Sequence, residues 1–291
     1  MITKVITKTL SITTLTVLLS GMAATHAATV LPANVVPEAT FNWSVGPDNT
    51  VNTPDDKKNA WGQVELTGSP TVAVTSTFPQ SGNGSLELHS SGTTSKGGLA
   101  YYPPGAGFGL LKNLSAVSYD WLRSATSAGQ PDAAPLLRLF LSTGNYNGAN
   151  HVATLVYLPA SNGATGLGNS DTAWYSTDVM AGAQIWQSRG AGPGGQQTKS
   201  FADFVADPAY ADLTVFAVEA GFGSGYSAEF VGAIDNVTVT GSAASVAANF
   251  EASAPQAAGP VSVPTLSLTG LLGLGAIVAG IGALRRRRHA D

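Results

Sequence analysis

Apolar and polar residues alternate in short runs through the middle of this 291-residue chain, and turn-forming residues separate the runs. In Val117-Ser118-Tyr119-Asp120-Trp121 the apolar and polar side chains alternate, the period of a strand with one packed and one wet face. Only Arg138 interrupts the apolar residues of Leu136–Leu141, which suits a more central strand. Read this way, the chain predicts strands at Trp61–Leu66, Thr71–Ser76, Ser85–His89, Leu99–Tyr102, Ala116–Arg123, Leu136–Ser142, Val152–Leu158, Ala173–Val179, Leu213–Ala220 and Phe230–Thr240. One helix is predicted, Lys199–Val205, with Phe201, Phe204 and Val205 on one face and Asp207-Pro208 ending it. Gly-rich loops at Gly144–Asn150, Ser161–Asp171 and Gly190–Gln197 lie between strands, and loops that long are functional or mobile. Residues 28–240 therefore read as one all-β ectodomain, and the Ala/Ser/Pro-rich stretch 241–262 as a flexible linker.

Two other apolar runs stand outside this pattern, one near each end. Lys4 and Lys8 precede the run Leu10–Met22, and the small residues Ala23-Ala24-Thr25-His26-Ala27 follow it. That order predicts a secretory signal peptide, residues 1–27, cut after Ala27 by signal peptidase once the Sec translocon has engaged it. Leu266–Leu284 is nineteen residues without a charge, and at about 1.5 Å rise per residue such a helix nearly spans a hydrocarbon core of roughly 30 Å. Arg285, Arg286, Arg287 and Arg288 follow at once, a cationic cluster expected to stay cytoplasmic and so to fix the topology. Residues 263–291 thus read as a motif, a single transmembrane helix and an Arg cluster.

Charge and cysteine content sharpen this picture. The whole chain carries a formal −4, but without the signal's two Lys and the tail's four Arg and Asp291 the remainder has eight basic and seventeen acidic residues. A net charge of −9 argues against nucleic acid or anionic lipid as partners of the ectodomain. The absence of cysteine in an exported chain leaves a sizeable core, or a bound metal, to supply stability.

The tail, Val263-Pro264-Thr265-Leu266-Ser267, then a Gly-rich apolar span, then four Arg, resembles the C-terminal sorting signals of Gram-negative surface proteins. It is similar to the IPTL-CTERM variant and to the wider PEP-CTERM family. That resemblance implies an inner-membrane-anchored intermediate, cut near the motif by an exosortase-like membrane protease and released to the cell surface or extracellular matrix. A permanent membrane anchor is the alternative reading of the same residues.

A second resemblance lies in the ectodomain. Ser81-Gly82-Asn83-Gly84-Ser85-Leu86-Glu87-Leu88 resembles a strand opening of galactose-binding-like jelly rolls, the fold of many carbohydrate-binding modules. Gly232-Ala233-Ile234-Asp235-Asn236-Val237 resembles their closing strand, with Phe41-Asn42-Trp43 as the matching opening strand. The resemblance implies a jelly-roll-like β-sandwich and a structural Ca²⁺ held in part by Asp235. The residues themselves leave a second role open for Asp235, a turn acid bonded to backbone N–H groups.

Saccharides stack on flat aromatic rings held at a surface. Tyr101-Tyr102 and Trp174-Tyr175 are adjacent pairs on candidate strands, so one ring of each should face out, and Trp186 sits beside a Gly-rich loop. Core packing is the competing account of all five, and the expected account of Trp61 and Trp121. The oxygen-rich cluster Asp48, Asn49, Asn52, Asp55, Asp56 lacks an EF-hand spacing and reads as a solvated loop. Catalytic signatures are missing: the ectodomain has two His, His89 and His151, and no G-x-S-x-G, Walker or Rossmann fingerprint. Glu87, Glu219 and Glu229 could supply a carboxylate pair only if folding brought two of them together. The expectation is a non-enzymatic surface or matrix protein, structural or adhesive, with binding of exopolysaccharide as the first alternative and a polysaccharide-active enzyme as the second.

Overall fold

The computed structural model describes residues 27–41, 44–45, 51–52, 59–128, 133–147, 150–163, 170–188, 196–224 and 229–254. They form an all-β sandwich of two large sheets. The strands are β1 (Ala28–Val30), β2 (Ser44–Val45), β3 (Val51–Asn52), β4 (Trp61–Thr67), β5 (Thr71–Thr75), β6 (Ser85–Ser90), β7 (Lys96–Tyr101), β8 (Gly109–Leu110), β9 (Ala116–Arg123), β10 (Leu136–Ser142), β11 (His151–Tyr157), β12 (Tyr175–Asp178), β13 (Gln184–Ser188), β14 (Gln197–Ser200), β15 (Thr214–Phe222), β16 (Phe230–Thr240) and β17 (Ser245–Phe250). Three short helices join them: α1 (Glu38–Phe41), α2 (Phe201–Ala206) and α3 (Pro208–Ala211).

β16 is the spine of the seven-stranded sheet. β9 pairs along one of its edges, with β12 outside β9. The other edge is shared: β6 pairs with Phe230–Ile234, and β17 takes over from Val237 to Thr240. The changeover falls at a bulge between Asp235 and Thr238, where Asn236 adopts φ 52°. Asn tolerates that left-handed conformation better than most side chains. β1 lies parallel to β17 and completes that margin.

The eight-stranded sheet runs β14-β13-β11-β10-β15-β7-β4, with β8 on the end of β15. Its inner face packs on the first sheet through Leu99, Leu137, Leu139, Leu155, Ile185 and Phe222. Nine of the ten phenylalanines are fully buried, so aromatic burial supplies much of the core of a chain without cysteine. On the outer face α1 lays Phe41 over Val64, Ala100, Tyr102, Phe140 and Phe216, a second and smaller core. β2 and β3 form a separate hairpin.

Three expectations are corrected. The segment 241–262 is not all linker, because Ser245–Phe250 is β17, with Val246, Ala248 and Phe250 buried. Its Ala-rich composition hid an ordinary strand alternation. Phe41 does not open a strand: Pro37 accepts hydrogen bonds from Thr40 and Phe41 N–H and starts a helical turn, and β1 is the first strand instead. Lys199 belongs to β14, and the helix begins at Phe201 with Ser200 as its cap, its hydroxyl accepting from Asp203 N–H. Trp61 and Trp121 are buried as expected. Val263–Ser267, Leu266–Leu284 and Arg285–Arg288 lie outside the described residues, as do residues 1–26. No helix among the described residues is long and apolar enough to cross a membrane.

Candidate functional site

On β13 the side chains alternate strictly: Ile185 and Gln187 are buried, while Gln184 and Trp186 face outward from the eight-stranded sheet. Among the described residues Trp186 is the one large hydrophobic side chain that is exposed, at 36%. The register carries its row across the sheet. Trp186 lies opposite Val156 on β11, Val156 opposite Arg138 on β10, Arg138 opposite Glu219 on β15, and Glu219 opposite Ala100 on β7. Neighbouring strands are about 4.8 Å apart, so Arg138 stands about 10 Å from Trp186 on the same face. Thr198, exposed, lies opposite Trp186 on β14, whereas Thr154 on β11 is buried against His151. A ring bordered by hydroxyl and amide groups, with a guanidinium two strands away, is a surface on which a sugar ring stacks while its hydroxyls find partners.

Arg138 is held rather than free. Its Nη1 donates to Glu219 Oε1 and lies 3.7 Å from Glu65 Oε2, which in turn pairs with Lys96 Nζ at 3.3 Å. Glu65 sits in a bulge of β4 at φ 55°. Glu219 is fully buried, and its Oε2 has no hydrogen-bond partner. Burial, reinforced by the nearby Glu65 carboxylate, pushes its pKa up to about 7, against the opposing pull of Arg138 and Lys96. β7 and β15 present glycines beneath it, Gly98 opposite Gly221.

The other aromatic candidates do not join this face. Tyr102 is buried, edge-on to Phe216 and Tyr146 at 6.0 Å each, so it cannot present a ring. Tyr101 is half-buried, tilted on Trp61 at 5.5 Å, and its hydroxyl donates to Asn59 Oδ1. Tyr175 stacks on Trp121 with centroids 4.7 Å apart. Trp174 packs on Phe78, Leu122 and Ala233 outside the seven-stranded sheet. Adjacent residues do alternate faces, but in both pairs each face is packed.

Asp235 lies at the changeover on β16, with none of its surface exposed. Its Oδ1 accepts from Phe250 N–H (2.9 Å), at the end of β17, and its Oδ2 from Ser81 N–H (3.2 Å), ahead of β6. Burial pushes its pKa up to about 6, in spite of these bonds. Asn236 Nδ2 donates to Ser81 Oγ and to Asp120 Oδ2. Glu251 completes the pin: its Oε2 accepts from Asn83 N–H at 2.5 Å. The two motifs that resemble a jelly roll, more than 150 residues apart, thus meet through Asp235, and Glu251 after β17 takes the Asn83 amide of the first. Gly82 and Gly84 are obligatory there, since a Cβ would fall 1.8 Å from Glu251 Oε1 or 2.3 Å from Ala252 N.

That donor set does not fit Ca²⁺. The cation takes six to eight oxygens, whereas these carboxylates already face N–H dipoles that would repel it. Asn249 Oδ1 is buried without a partner, but one oxygen does not build a site. Among the described residues no three His, Asp or Glu side chains gather to hold a metal. Glu87 and Glu229 lie on the seven-stranded sheet, bound by Thr75 and Thr77 hydroxyls and by His89, far from any pairing with Glu219 on the opposite sheet. Asp48, Asp55 and Asp56 lie outside the described residues, as does the side chain of Asn52.

Sequence reasoning missed Glu65, Lys96 and Glu251. Glu251 was hidden by the linker reading. Arg138 carried a signal, as a lone charge in an apolar strand marks a polar opening on its face.

No protein-family model matches the chain, and no curated protein matches it. Among solved structures it is similar to the solution structure of CtCBM11, a carbohydrate-binding module, at 15% identity and TM-score 0.32 over 63% of this chain and 90% of that one. It is also similar to a sialidase at 14% identity and TM-score 0.30, over 63% of this chain and 17% of that one. At those values neither likeness bears on the site.

Proposed function

We propose that this chain is an exported, non-catalytic surface protein whose eight-stranded sheet offers a saccharide-binding face centred on Trp186. The observation that carries the reading is that ring: among the described residues it is the most exposed of the large apolar side chains, at 36%. Burial of hydrophobic surface is the default in a folded chain, and a single exposed Trp between Gln184 and Thr198 on a rigid strand is what sugar stacking needs. Export and sorting belong to the same proposal. The signal-like start, the IPTL-CTERM-like tail and the ectodomain's −9 charge support delivery to a Gram-negative cell surface or matrix.

The test is retention of the full chain on exopolysaccharide and on a panel of glycans, with and without Trp186→Ala. Loss of about fivefold or more in affinity supports the reading, since removal of one stacking ring costs roughly 1 kcal/mol or more. Equal binding by wild type and variant, or no glycan bound by either, removes the saccharide face. Intact mass of the protein recovered from cells tests export separately: loss of residues 1–27, and a cut near Val263–Ser267, are the expected outcomes.

A further inference from the structure

The buried carboxylate of Glu219 has no task in the saccharide reading, and its setting assigns it another. Four strands converge on it. β15 carries Glu219, β10 supplies Arg138, β7 supplies Lys96, and β4 supplies Glu65 from its bulge. α1 adds Glu38, whose Oε1 accepts from Leu66 N–H (2.7 Å) at the same bulge. One guanidinium is therefore shared between two carboxylates, one of them sealed from water with an oxygen that no donor reaches.

We propose that this cluster is a proton-operated latch, which holds β4 against β7 while Glu219 carries its proton and loosens that margin when the proton leaves. The physical reason is hydration. Neutral, Glu219 keeps its bond from Arg138 and puts no buried charge beside the Glu65 carboxylate. Ionised, it balances the two cations but stands beside Glu65 with Oε2 bare and buried, and that desolvation outweighs the pull of Arg138 and Lys96. Gly98 and Gly221 bring no side chain to screen it. Water is the available donor, and its nearest way in is the β4 bulge, where the ladder to β7 is already broken between Val64 and Thr67. β4 is the outermost strand of its sheet, flanked by the Val36 bridge to Gly62 and by α1, so it moves at less cost than the central strands. The latch shares Arg138 with the row that starts at Trp186, but it needs no bound saccharide.

Amide hydrogen exchange on the full chain tests it. Corrected for intrinsic rates, protection of Trp61–Thr67 should fall about tenfold or more between about pH 5.5 and about pH 8, as expected when opening frees a carboxyl whose ionisation burial had suppressed. Glu219→Gln, which keeps the shape without the titration, should flatten that response. Glu65→Gln, which removes the like charge, should shrink it. Flat protection in the wild type, or a response of the wild-type size in Glu219→Gln, overturns the proposal. Should Glu219→Gln fail to fold, an undiminished response in Glu65→Gln has the same force. Asp235 also titrates in this range, but in the other sheet, so exchange read on β4 and β7 separates the two.

Discussion

A methyl group at position 62 would lie 2.1 Å from Cδ2 of the Phe41 ring, well inside contact distance. Gly62 is therefore what lets α1 close over the outer face of the eight-stranded sheet. Gly62→Ala must displace Phe41 or bend β4, and an overpacked site of this kind costs about 1–3 kcal/mol, read as a lower midpoint in chemical unfolding. Two aromatic residues make the opposite comparison. Tyr102→Ala empties a packed position between Phe216 and Tyr146 and should cost about 3–5 kcal/mol. Trp186→Ala should cost far less, about 1 kcal/mol or below, because the residue is 36% exposed and belongs to none of the buried clusters. If the Trp186 variant unfolded as readily as the Tyr102 variant, the ring would be structural and the saccharide face would lose its basis. The sequence marked both residues as candidate stacking rings, Tyr102 on a strand and Trp186 beside a Gly-rich loop. It could not say which way each points, since that depends on register and on α1, whose closure over Tyr102 no local pattern announces.

At the scale of elements, the strands that were legible are those whose own side chains settle their faces. Ala116–Arg123, Leu136–Ser142 and Phe230–Thr240 fold over the spans their alternation predicts. β13, β14, β1 and β17 were not legible. They are short, polar or Ala-rich, and their partners define them more than their composition does. β17 matters most among them. It pairs with β16 on one edge and β1 on the other, and its last amide is the donor that Asp235 accepts. Beyond it Ser253 N–H donates to Asn83 Oδ1, so the sandwich holds the chain as far as Ser253. A chain ended after Ala254 should therefore unfold at the same midpoint as the full chain. One ended after Ala244 should lose native circular dichroism and be cut rapidly by protease, because β1 loses its partner and Asp235 is left buried with one donor fewer. Equal stability of the two truncations would refute the place given to β17.

For the molecule as a whole, pH is the variable on which these parts converge. Glu219 and Asp235 are acids whose folded pKa values, about 7 and about 6, stand above their ordinary 4.5 and 3.8. The folded state therefore binds protons more tightly than the unfolded one between those values, and stability must fall as pH rises through that window. Both groups are neutral below about pH 4, where the favourable contribution is complete, and both are ionised above about pH 8, where it is gone. Each shift corresponds to about 3 kcal/mol at most, so the loss across the window is on the order of a few kcal/mol. The surplus of acidic residues between the two terminal apolar runs acts in the same direction, since raising the pH adds like charges to a region already at −9. Most proteins stabilised by paired carboxylates show the reverse trend on the acid side, which makes the sign diagnostic. Thermal unfolding of the protein should give a higher Tm at about pH 5 than at about pH 8, by several degrees. Glu219→Gln should remove a large part of that difference while leaving the part due to Asp235. A Tm that rose from pH 5 to 8 would mean that both carboxylates are ionised in the folded state at pH 5, and that the sandwich has hydrated them.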